Sequence, residues 1–116
     1  MSKITTVYGI PNCDTVKKAR VWLAERGVDY AFHDYKKAGV DADRLADSVE
    51  RFGWEKVLNR SGTTFKKLPD DVKADLDAAK AIAIMTENPS AIKRPIVAYD
   101  GGMLLGFNAA EWEKAL

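Results

Sequence analysis

Cysteine and histidine each occur once in these 116 residues, as Cys13 and His33. One cysteine forbids an internal disulfide and suits a reducing compartment. One histidine, with no cysteine or carboxylate cluster near it at ligand spacing, leaves no metal to assign. Neither a bound metal nor a bound cofactor is expected. Neither sign of charge dominates: 18 Lys+Arg stand against 17 Asp+Glu, a net charge of +1. Bulk charge therefore implies no nucleic-acid partner and no anionic membrane. No apolar run reaches the length of a membrane span, and Met1-Ser2-Lys3 leads into a strand pattern with no signal-peptide h-region. A cytoplasmic protein is expected. Also missing are a Gly-rich phosphate loop, a Ser/His/Asp arrangement, a nucleic-acid motif, an internal repeat and a low-complexity tract.

What is present suffices for one core. Apolar residues make up 47% of the chain, which at this length predicts one domain, 1–116, read as a monomer. A β-branched run predicts a strand over 4–8. After Cys13, Val16, Ala19 and Leu23 recur at helical spacing as far as Arg26, and Gly27 suits the helix end. Residues 28–35 read as a second strand, so the first two strands and their helix form a parallel βαβ unit. Gly39-Val40 breaks the chain, and Asp41 caps a helix carrying Leu45, Val49 and Phe52, stopped by Gly53. Trp54, Val57 and Leu58 keep helical spacing for another turn, and 59–64 reads as a polar loop. A helical stretch begins near Pro69, taken as a first helical position. Another covers 77–87 with Ile82 and Met85 inward, and Asn88-Pro89 ends it with a short turn through Ile92. Strands over 96–99 and 103–107 flank an Asp100-Gly101-Gly102 turn. Asn108 and Glu111 resemble a capping box that opens a last helix to Leu116. Trp22, Trp54 and Trp112 read as core and interhelix anchors. The fold class is α/β, a mixed four-stranded sheet built βαβ then ββα, with a helical insertion at about 41–92.

One stretch carries chemistry, Tyr8-Gly9-Ile10-Pro11-Asn12-Cys13-Asp14-Thr15-Val16-Lys17-Lys18-Ala19. A cysteine at a strand-to-helix turn lies where helix amide N–H groups and the positive end of the macrodipole converge, and both favour the thiolate. The competing reading is a buried structural cysteine. Lys17, one turn on, is either a helper of the thiolate or a solvated surface charge. Arg94-Pro95 precedes an apolar strand. A trans bond there is ordinary; a cis bond would turn residue 94 toward the cysteine and leave nearby backbone groups for a peptide-like substrate. Arg94 itself suits an oxyanion or a carboxylate. Arg60, in its polar loop, is a surface charge unless the fold brings it to Cys13. His33 reads as a packed or edge histidine.

The segment around Cys13, with Asn59-Arg60-Ser61-Gly62-Thr63 and Ile92-Lys93-Arg94-Pro95-Ile96, resembles the ArsC/Spx family, nearest its YffB-like branch. The resemblance spans essentially the whole chain. It implies a thioredoxin/glutaredoxin-like fold with a helical insertion between the βαβ and ββα halves. In the family's arsenate reductases a cysteine matching Cys13 attacks arsenate, arginines matching Arg60 and Arg94 hold the oxyanion, and glutathione with glutaredoxin releases the product. This chain departs twice. Where those enzymes carry a third arginine it has Leu105-Gly106-Phe107-Asn108, and where Spx regulators complete a Cys-x-x-Cys switch it has Val16.

The resemblance therefore implies a monothiol, glutathione-dependent thiol-disulfide reductase. Cys13 would be the nucleophile. Arg60, Arg94, Pro95, Asn12 and Lys17 would bind substrate, anion or glutathione. Glutathione would be the co-substrate, and glutaredoxin a further partner. Two alternatives stand beside it: an arsenate reductase coupled to glutathione and glutaredoxin, and a non-catalytic Spx-like transcription adaptor that binds a partner such as RNA polymerase.

Overall fold

A computed structural model describes residues 5–99 and 101–116. Strand β1 is Thr5–Gly9, helix α1 Asp14–Glu25, strand β2 Tyr30–Asp34 and the single helical turn α2 Tyr35–Ala38. Strand β3 is Ile96–Tyr99, β4 Gly102–Leu105 and helix α8 Ala109–Ala115. Between them lie α3 Ala42–Phe52, α4 Trp54–Val57, α5 Thr63–Lys66, α6 Asp70–Lys73 and α7 Ala78–Glu87, then a 3-10 turn at Pro89–Ala91. The chain divides into two compact units, Met1–Ala38 with Arg94–Leu116, and Gly39–Lys93.

The first unit is a sheet of order β2-β1-β3-β4. β1 runs parallel to β2, with Val7 beside Phe32 and Tyr8 beside His33. β3 is antiparallel to both β1 and β4. This is the mixed α/β sheet of a thioredoxin-like fold. Alternation along β1 sends Val7 into a core with Ala19 and Leu23 of α1, Val97 of β3 and Trp112 of α8, while Tyr8 lies on the opposite face. All five core side chains are fully buried, and Trp112 Nε1–H donates to the Gly106 carbonyl at 3.1 Å. Trp112 is thus a core anchor. Trp22 and Phe107 meet it edge-on, with centroid distances of 5.7 and 4.9 Å.

The second unit is helical. Asp41 and Asp77 cap α3 and α7, accepting from the N–H groups of Arg44 and Lys80. Gly53, at φ +88°, ends α3 where a side chain would be strained. Leu58 and Ile92 form an antiparallel bridge, and Lys93 N–H donates to the Val57 carbonyl at 2.8 Å.

Several expected boundaries move. Ile4 and Asp100 lie outside the described residues. β2 covers 30–34 rather than 28–35: the Asp34 carboxylate accepts from Lys36 N–H at 2.9 Å and turns the chain into α2. The polar loop at 59–64 gives way at Thr63 to α5, which buries Phe65. Pro69 is the residue before α6 rather than its first residue. On α7 the inward residues are Ala81, Ile84 and Met85; Ile82 is only half-buried. α1 stops at Glu25, one residue early, and β4 covers 102–105 rather than 103–107. Trp54, like Trp22, is half-buried rather than enclosed.

Candidate active site

β1 delivers the chain to Gly9, buried at the sheet's end. A Cβ there would stand 2.9 Å from Val16 Cγ2, so only glycine lets the first turn of α1 come this close to the strand. Ile10 and Pro11 turn the backbone, and Cys13 N–H donates to the Ile10 carbonyl at 3.2 Å. Cys13 is the N-cap of α1, with extended φ −89° and ψ 125°, and its own carbonyl accepts from Lys17 N–H at 2.9 Å. The first-turn amides of the helix are therefore aimed at the side chain of residue 13.

Cys13 is half-buried and free. Partial burial pushes its thiol up. The Val16 N–H, the Arg94 side chain by hydrogen bond and by charge, and the Thr15 N–H pull it down, and the net direction is downward from the ordinary thiol value. Strand pairing brings Arg94 to the cysteine's end of the sheet. Tyr8 pairs with Ile96 across the antiparallel β1–β3 ladder, so the residues that follow Tyr8 and those that precede Ile96, Arg94 among them, lie at the same end of the sheet. The Arg94–Pro95 peptide is cis. The Pro95 ring is buried and its carbonyl accepts from Gly106 N–H at 2.8 Å.

Cys13, Arg94 and Pro95 are thus assembled at one end of the sheet. Asn12 is exposed in the same loop. The Lys17 side chain is exposed too, and it is not among the groups that shift the thiol. Arg60 belongs to the helical unit, where it is exposed with its guanidinium carbon 5.4 Å from the centre of the Trp54 ring. His33 is packed between aromatic rings, 5.1 Å from Tyr8 and 5.9 Å from Tyr35 between centroids. Among the described residues, no group of three His, Cys, Asp or Glu side chains is placed to hold a metal. No helix among them is long and apolar enough to cross a membrane. The stretch from Leu105 to Asn108 is given over to structure: Gly106 bonds Pro95 and Trp112, Phe107 meets Trp112 edge-on, and Asn108 caps α8 through Glu111 N–H at 3.1 Å. Sequence reading missed the Gly9–Val16 contact, whose only signal was a glycine ending an apolar strand.

The ArsC family model matches residues 8–115. A solved structure named YFFB is 51% identical and superposes with a TM-score of 0.94, covering 97% of this chain and 98% of its own. An uncharacterized protein of Haemophilus influenzae is 46% identical over 95% of this chain and 96% of its length. A protein of Streptococcus pyogenes named global transcriptional regulator Spx is 31% identical over 93% of this chain and 81% of its length. With a thioredoxin-like sheet and this cysteine-bearing corner, the chain belongs to the ArsC family and resembles its YffB-like members.

Proposed function

We propose that the protein is a monothiol, glutathione-dependent thiol-disulfide reductase. The observation that carries this is Cys13 at the N-cap of α1, its thiol lowered by two helix amides and by Arg94, with no second cysteine in the chain. The Cys13 thiolate attacks one sulfur of a disulfide. A bond from Cys13 Sγ to that sulfur forms as the disulfide breaks, and the other sulfur leaves as a thiolate that takes a proton from solvent. Without a resolving cysteine, an external thiol must release the adduct, and glutathione supplies it, with glutaredoxin as an alternative carrier. Arg94 holds a carboxylate of glutathione or substrate, Asn12 and Lys17 line the approach, and the backbone flanking Pro95 docks the peptide part. Because the Pro95 carbonyl is engaged by Gly106, the neighbouring residues supply that docking.

The test is turnover of a small disulfide by glutathione, followed as NADPH consumption through glutathione reductase. The wild type turns over and Cys13→Ser does not; full activity in Cys13→Ser overturns the mechanism. Family membership favours a second reading, an arsenate reductase, tested by arsenate-dependent NADPH consumption with glutathione and glutaredoxin. The relationship to an Spx regulator favours a third, a transcription adaptor without turnover, for which the test is recovery of RNA polymerase from cell extract.

A further inference from the structure

The outer face of α1 carries a shallow groove of about 400 Å³, lined by Lys17, Lys18, Val21, Trp22, Glu25 and Phe107. Its surface is overwhelmingly apolar. Val21, 55% exposed, is one of its lining side chains. The floor is held in place: Trp22 and Phe107 both stand edge-on to the fully buried Trp112. Arg26, ion-paired to Glu113 at 3.1 Å, lies 4.4 Å from the centre of the Trp22 ring. Fixed aromatic side chains in an apolar hollow are the kind of surface that anchors a protein partner.

Charge gives the groove a direction. Lys17 and Lys18 flank the end near Cys13, and Glu25 stands at the other. Lys17 lies four residues beyond the sulfur's own residue, about 6 Å along the helix, and Trp22 nine residues, about 14 Å. An extended peptide spans about 3.3 Å per residue. In the in-line attack on the glutathionyl sulfur, the protein's cysteine sulfur stands about 4 Å from Cys13 Sγ. A protein chain running along the helix from there would pass the lysines about two residues on and reach Trp22 about four residues on.

We propose that this groove selects the substrate: a protein cysteine in mixed disulfide with glutathione, with an acidic residue two positions away and a large apolar residue four positions away. The proposal rests on the reductase reading above and adds the substrate class. Cys13 Sγ attacks the glutathionyl sulfur. The protein sulfur leaves as a thiolate and is protonated by solvent. Glutathione then attacks the glutathionyl sulfur on Cys13, yielding glutathione disulfide and the free Cys13 thiolate. The lysines and the aromatic floor hold the protein portion during the first step.

The experiment uses glutathionylated peptides of pattern Cys-Ser-Glu-Ser-Phe and Cys-Ser-Ser-Ser-Ser, with their serine-for-cysteine analogues, fluorescently labelled, for direct binding by anisotropy. Wild type should favour the acidic-apolar peptide by about tenfold in kcat/KM, the effect of covering one apolar side chain. Val21→Asp and the double variant Lys17→Glu, Lys18→Glu should bring that ratio close to one, while Glu50→Lys, exposed in the helical unit, keeps it. Equal rates on the two peptides, with the small disulfide still reduced, overturn the groove and leave the reductase reading standing. If no disulfide is turned over, the reductase reading fails, and the groove is judged by anisotropy alone: equal affinity for the two analogues overturns it, and a preference lost in Val21→Asp supports it.

Discussion

Replacing Arg94 with alanine should make Cys13 a slower nucleophile at neutral pH without removing its reactivity. Arg94 acts on the sulfur by hydrogen bond and by charge; Thr15 and Val16 act independently through backbone N–H groups that no side-chain substitution removes. A pair of unit charges about 4 Å apart is worth about 1 kcal/mol in water and several times more where solvent is excluded. Cys13 is only half-buried, so the solvated figure applies. About 1 kcal/mol is roughly a fivefold change in thiolate fraction at any pH below the titration. The assay is the rate of alkylation by iodoacetamide from pH 5 to 10. Relative to wild type, Arg94→Ala should be about fivefold slower at the acid end, with its midpoint moved up, and should converge at the alkaline end. Arg94→Lys should fall between them, since it keeps the charge and loses the planar fork. Circular dichroism establishes that each variant is folded. Superimposable profiles for folded Arg94→Ala and wild type would refute the placement of this charge on the sulfur.

Four further outcomes follow from the same geometry. The folded thiol titrates below the unfolded one, whose ordinary value is about 8.5, so the stability it contributes is fully present above that pH and is lost as pH falls through the folded value. The urea midpoint of wild type minus that of Cys13→Ser should accordingly grow from pH 6 to pH 9; a constant difference contradicts the linkage. Gly9→Ala should destabilise by about 1–3 kcal/mol in urea unfolding, because its methyl group would stand 2.9 Å from Val16 Cγ2, and should also shift the alkylation profile of Cys13. Trp112→Phe should cost about 1–3 kcal/mol by the same measurement, since it leaves the buried Gly106 carbonyl without the indole donor. Asp77→Ala should cost about 1 kcal/mol and Asp77→Asn much less, as asparagine still accepts from Lys80 N–H.

Local features of the fold were readable in proportion to how local their causes are. Val16, Ala19 and Leu23 announce α1 because one stripe of one helix is buried, and all three are buried. Asp41 and Asn108 announce helix starts because a cap acts within three residues, whereas Asp77, read as the first residue of its helix, is the cap before it. Single turns are harder. α2 and α5 have four residues each, too short for a period to show, and α2 depends on Asp34, which reads as the end of a strand until its carboxylate is seen to bind Lys36 N–H. On α7, Ile82 and Ile84 are equally apolar, and packing rather than sequence decides that Ile84 is buried. The site divides the same way. That Cys13 sits at a helix start is local and was readable. That Arg94 bears on it depends on which residue of β3 faces which residue of β1, a pairing across some eighty residues that only the assembled sheet, or resemblance to a family, supplies.

Cys13 serves the helix as well as the chemistry. The amides of Thr15 and Val16 bond an anionic sulfur, and a divalent sulfur in a disulfide is a far weaker acceptor. Each covalent adduct on residue 13 therefore removes the favourable pull between those two amides and the anionic sulfur, and each release restores it. The first turn of the helix becomes a record of the state of the sulfur: its amide protons should exchange with solvent faster while an adduct is in place and slow again when the thiolate returns.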